Sequence, residues 1–221
     1  MSSGSGSSQV VARRMTTVEQ FRAEKKIRRL VQLLLGLAGY GSALTFLVQS
    51  GLGASSWNVL AEGVAARLGW SFGSATNVIG VVVLVFWVPL REPPGLGTVL
   101  NAALVGTCAS IAGHFVPAPH GLSRELAYFA LGLLMLTFFD AVYLGARFGP
   151  GPRDGLMTGA VRISGKPLWL VRTAIEAVVV SAGWMLGGVV GPGTVIIAFL
   201  MGPLVQRFLR FTTVSLADDA D

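Results

Sequence analysis

Few side chains in this 221-residue sequence combine the type and the spacing that chemistry needs. Arg172 and Glu176 are four apart, the spacing that places two helical side chains on one face. They form either a self-neutralised pair or a site for a solute or a proton. Arg153 and Asp154 follow the turn Gly149-Pro150-Gly151-Pro152 and precede a short helical pattern. Asp154 is expected to cap that helix by accepting from an exposed backbone N–H. In the sharper reading the turn lines a polar cavity, where Arg153 and the helix-start N–H groups face an anion. Asn58 and Glu62 follow an earlier glycine-rich turn and occupy the mirror position. Asp140 lies late in an apolar run, placed either to carry a proton or to snorkel toward the interface.

Other chemistry finds little support. Cys108 is the single cysteine and His114 and His120 are the two histidines, so neither a disulfide framework nor a Cys or His metal centre is expected, and no cofactor is implied. There is no His-Glu-x-x-His pair and no phosphate-binding Gly-x-x-x-x-Gly-Lys loop, so the chain does not read as an enzyme.

The elements that must position these groups are membrane helices. Hydrophobic residues make up 52% of the chain and charged residues 13%, about half the usual share for a soluble domain, and the mean hydropathy is +0.66. A net charge of +6 raises nucleic acid as a partner, but the basic residues flank apolar runs instead of forming a patch with interleaved aromatics. The lipid bilayer is the expected partner, with a homo-oligomer left open.

A hydrocarbon core about 30 Å thick needs roughly 20 apolar helical residues. Runs of that kind cover approximately Leu30 to Ser50, Ser71 to Leu90, Gly97 to Val116, Leu126 to Ala146, Leu168 to Val190 and Gly193 to Leu209. Before them, residues 1–29 comprise a Ser/Gly-rich start and a basic amphipathic segment; after them, residues 211–221 form an acidic tail.

Sliding the chain against itself by 96 residues, without a gap, aligns Leu35-Gly36-Leu37 with Leu131-Gly132-Leu133, Gly53 with Gly149, and Gly97-Thr98-Val99 with Gly193-Thr194-Val195. Glycines and threonines at loop positions make this more than a coincidence of apolar composition, so 30–116 and 126–210 read as two membrane repeats. Each contains a segment too short and too polar for an ordinary span, Gly51 to Trp70 and Arg147 to Lys166.

If those segments are re-entrant or interfacial, each half crosses three times and the halves are inverted; if they cross, each half has four spans and the halves run parallel. Seven basic residues between Arg13 and Arg29 set the amino terminus in the cytoplasm. Six crossings then strand Arg67 and Arg124 outside, and eight strand Arg91, Arg147 and Arg153, so charge does not arbitrate. Segment length favours six. Both plans return the carboxyl terminus to the cytoplasm.

The element Gly149-Pro150-Gly151-Pro152-Arg153-Asp154-Gly155-Leu156-Met157, then Arg172 with Glu176 and Gly191-Pro192-Gly193-Thr194, resembles the YczE/YyaS/YitT-type bacterial membrane proteins. Gly51-Leu52-Gly53-Ala54-Ser55-Ser56-Trp57-Asn58 fits the earlier glycine-rich motif of the same family, with Asn58 where such proteins often carry an aspartate. The resemblance covers about Leu30 to Arg210 and implies the fold group, with transport the usual expectation and no substrate. The overall expectation is an all-α integral protein of the bacterial cytoplasmic membrane that moves a small solute. The candidate site residues are Asn58, Glu62, Asp140, Arg153, Asp154, Arg172 and Glu176. The alternative is a membrane protein that assembles with or regulates a partner.

Overall fold

The computed structural model describes residues 24–216, so the Ser/Gly-rich start, most of the basic amphipathic segment and the aspartates of the tail lie outside the described residues. Eight helices follow in order: α1 (Lys26–Gln49), α2 (Ser56–Leu68), α3 (Phe72–Leu90), α4 (Leu96–Phe115), α5 (Leu122–Gly145), α6 (Pro152–Ser164), α7 (Leu168–Met185) and α8 (Pro192–Thr212). All but α2 and α6 are long and apolar enough to cross a membrane, which gives six spans. The starts of α1 to α4 and of α5 to α8 are residues 26 and 122, 56 and 152, 72 and 168, and 96 and 192, each pair 96 apart.

Span ends follow local chemistry. The seventh helix stops at Met185, short of the Val190 suggested by hydropathy, because Gly187 turns left-handed at φ 103°. The Gly187 N–H then donates to Trp184 O and the Gly188 N–H to Gly183 O, a paired closure that ends a helix and frees the next residues for a turn. Gly183 and Gly188 let α7 and this turn approach α2 closely, since a Cβ on either would strike the backbone of Val59 or Leu60.

At the centre α1 and α5 pack antiparallel. Gly36 meets the backbone of Tyr143 near one end, and Gly132 meets Leu47 near the other. Leu33, Leu37, Leu44, Leu47 and Leu136 are fully or almost fully buried along this contact. Parallel partners flank the central pair. The Thr45 hydroxyl donates to Ala109 O at 2.8 Å and the Gln49 amide to Val116 O at 2.9 Å, which ties α1 to α4. The Thr212 hydroxyl donates to Ala141 O at 2.9 Å, which ties α8 to α5.

The short helices, at 13 residues each, are not among the candidate spans. The end of α1 (Thr45, Gln49), the start of α3 (Ser71, Phe72) and the end of α4 (Ser110, His114) line one shared depression. The chain thus returns at α3 to the end of the bundle where α1 left it, the path expected of six crossings.

The two re-entrant turns interlock in matching fashion. The Gly97 N–H donates to Phe148 O and the Gly193 N–H to Leu52 O, both at 2.8 Å. Gly53 and Gly149 sit at φ 103° and 104°, a region closed to most side chains, and each presses on the start of the other half's last helix. At those starts Thr98 and Thr194 accept from the backbone N–H of Gly95 and Gly191, capping the helices they begin.

Candidate functional site

The re-entrant turns bring the first residues of α2 and α6 to a cavity of about 110 Å³ inside the bundle. A water needs roughly 10–15 Å³ of comparable room, so the space suits several waters or one small molecule. Walls come from α3, α4, α7 and α8, and α1 and α5 supply Tyr40, Asp140 and Tyr143.

Helix α6 starts earlier than the sequence suggests, and Asp154 is not its cap. Gly151 holds the cap position and Pro152 the first helical one, where its fixed φ is preorganised and its missing N–H costs nothing. Asp154 therefore falls on the third position and reaches back to the Gly151 N–H. Burial raises its carboxyl above the usual range, while Arg172, Arg153 and that N–H pull the other way. Arg153 lies over the ring of Trp57, 5.5 Å from its centroid, and so couples the start of α6 to the start of α2.

Asp140 does not snorkel. It is 8% exposed and faces the cavity, with Asp154, Arg153 and Arg172 as its charged neighbours. Among the described residues its carboxylate has no hydrogen-bond or ion-pair partner, and the same holds for the buried Nε1 of Trp57. A buried polar atom left without a partner costs about 1–3 kcal/mol, more when charged, so these groups are ones that a solute or water would satisfy.

Arg172 and Glu176 pair at 2.9 Å, within α7 instead of between helices. Both line the cavity, and half of the Arg172 side chain is exposed, which places the pair at the mouth.

Asp140, Arg153, Asp154, Arg172 and Glu176 thus converge on one space; Asn58 and Glu62 do not reach it. The Glu62 carboxylate accepts from the Val189 N–H at 2.9 Å and holds α2 to the α7–α8 turn; burial raises its pKa to about 7 against that hydrogen bond. Asn58 is fully buried, and neither polar atom of its amide has a partner. The sequence reading overlooked Tyr40, Tyr143, Asn101, Ser55 and Ser56, which also line the cavity. Ser55 alone carried a signal, as the residue before a short helix. Among the described residues no three His, Cys, Asp or Glu side chains converge as metal ligands do.

Relatives share most of this chain. An uncharacterized protein of Haemophilus influenzae is 35% identical over 188 residues, 85% of each chain. The uncharacterized membrane protein YczE of Bacillus subtilis is 30% identical over 185 residues, 83% of this chain and 85% of the relative. The uncharacterized protein YyaS of the same organism is 26% identical over 179 residues, 79% of this chain and 89% of the relative. No solved structure matches. A family of unknown function, DUF6198, matches residues 27–210, from the start of α1 almost to the end of α8, and this multi-pass membrane protein belongs to it.

Proposed function

We propose that the protein is a secondary transporter of a small solute across the bacterial cytoplasmic membrane, with both termini on the cytoplasmic side. The observation that carries this reading is the cavity at the junction of two inverted halves, where the starts of two half-length helices meet beside buried polar groups without protein partners. Inverted halves with broken elements at the centre suit alternating access, because rocking one half against the other exposes a single site to each side in turn. The equal spacing of all four helix pairs supports duplication of one ancestral unit. The orientation rests on the basic residues before α1. The cavity holds no serine or cysteine beside a histidine base, so its groups suit binding and proton handling better than covalent catalysis.

Proteoliposomes incubated with a bacterial metabolite extract test the reading by mass spectrometry of the trapped lumen. At least one solute should accumulate above empty liposomes, and Arg153→Ala or Asp140→Asn should abolish that accumulation while leaving helical content unchanged. No accumulation with protein inserted in either orientation overturns transport.

A further inference from the structure

The two half-helix starts that meet at the cavity are chemically unlike. The first turn of α2 carries no acidic residue, and Ser55 at its cap makes no side-chain hydrogen bond to the helix. The position that holds Asp154 in the other half holds the neutral Asn58 here. What α2 presents to the cavity is therefore donors: its free backbone N–H groups, the hydroxyls of Ser55 and Ser56 and the unpartnered Nε1 of Trp57. The Arg153 guanidinium over the Trp57 ring adds a full positive charge on that side.

The α5 and α6 side is acidic. Asp140 is buried, faces the cavity and has no partner among the described residues, and Asp154 is its foremost charged neighbour. Arg172, paired with Glu176 at the mouth, also acts on Asp154 and Asp140, and the three carboxylates that line the cavity still outnumber its two arginines.

A purely anionic solute would meet two carboxylates, and a purely cationic one would leave the unpartnered Nε1 of Trp57 and the start of α2 unsatisfied; the first carries the cost of an uncompensated charge away from water and the second that of unpaired donors. We infer that the cavity binds a small zwitterion, with its anionic group at the start of α2 beside Arg153 and its cationic group against Asp140 and Asp154. This rests on the transport reading of the same cavity and names the class of solute.

The test is a thermal-shift and tryptophan-fluorescence titration of the purified full chain in detergent. The probes are glycine, β-alanine, proline, taurine and glycine betaine, each against the single-charge analogues acetate, propionate and methylammonium. At least one zwitterion should bind, and no analogue should come within about tenfold of it, or ~1.4 kcal/mol. Asp140→Asn should weaken that binding at least about tenfold. Ser56→Asp, which places an acid on the bare first turn of α2, should do the same and serves if the first variant fails to fold. The inference is overturned if no zwitterion binds, if a single-charge analogue binds as tightly, or if both variants bind like the parent. Accumulation of another class of solute in proteoliposomes without zwitterion binding removes this inference and leaves transport. A zwitterion that binds but is never carried does the reverse.

Discussion

Along the seam of α3 and α4, glycine meets glycine. A Cβ on Gly73 would strike the Gly106 carbonyl, a Cβ on Gly106 would strike Gly73 in return, and Gly80 lies against Ala102. The Asn77 amide closes the contact, donating to the Thr107 hydroxyl at 2.9 Å and accepting from the Gly106 N–H at 2.8 Å. In the other half the same positions are Trp169 for Gly73, Thr173 for Asn77, Glu176 for Gly80 and Pro203 for Thr107. Gly202, the counterpart of Gly106, keeps its type, as Ala198 does for Ala102, but nothing lies within 4 Å of where the Gly202 Cβ would be. Helices α7 and α8 barely touch.

Two halves with the same helix register therefore differ where it matters for access. Close approach of helices in a membrane needs small residues at the contact, because packing and interhelical hydrogen bonds replace the hydrophobic drive. The first half has both, so its side of the cavity is sealed. The second half replaces them with an indole, a charge and a proline inside a helix, and the cavity reaches the surface beside the half-exposed Arg172. Thr76 and Gly80, the counterparts of Arg172 and Glu176, line the sealed wall without charge. Charge and opening fall on the same side, which is what a path for a polar solute requires.

The contrast breaks most severely at the paired glycines. Gly106→Leu forces the side chain into the backbone of α3 and should destabilise the protein by about 3 kcal/mol, the upper end for overpacking, whereas Gly202→Leu meets open space, gains helix propensity and should not destabilise it. Thermal unfolding of the two variants in one detergent reads the difference. Equal losses would show that α7 and α8 close on each other in solution and that the open seam is not the resting arrangement.

A milder probe removes the amide. Asn77→Ala removes both cross-helix bonds, although the Thr107 hydroxyl keeps the Ala103 carbonyl as its acceptor, and should cost about 1 kcal/mol, while Thr173→Ala should cost little, because no cross-helix bond is lost. Single-cysteine labelling in a Cys108→Ser background sharpens the inversion itself. Reagents should reach Arg67→Cys and Gly165→Cys from opposite sides of the membrane, and labelling from the same side would return the chain to eight crossings.

The spans were legible because a helix in lipid must be apolar along its whole length, and so was the 96-residue register, because turn glycines and capping threonines such as Gly97-Thr98 and Gly193-Thr194 are fixed by local backbone geometry. Helix ends were less so. Lys26 to Arg29 are helical although basic, since a helix continues beyond the hydrocarbon where its backbone stays bonded. The cavity was readable only in part. Arg153, Asp154, Arg172 and Glu176 announce themselves as charges in an apolar chain, but Tyr40, Tyr143 and Asn101 are ordinary in their own helices and become a site only when the packing of α1 against α4 and α5 brings them together. Glu62 misled for the converse reason. Its charge is spent on the Val189 N–H, a loop contact that no local spacing encodes.

The smallest effect on stability is expected at the most conspicuous charges. Arg172 and Glu176 are partly exposed and belong to one helix, and exposed i,i+4 pairs contribute only about 0.3–0.5 kcal/mol. Restoring the first half's residue with Glu176→Gly should therefore lower stability by about 1 kcal/mol, most of it the helix propensity of glycine. The reverse exchange, Gly80→Glu, presses a carboxylate against Ala102 in the sealed seam and should cost several times more. Chemical unfolding of the two exchanges settles whether the seams are truly unlike. If Glu176→Gly proved as damaging as Gly80→Glu, the pair at the mouth would be holding α7 in place, and the opening beside it would be a packed structural element instead of a route to the cavity.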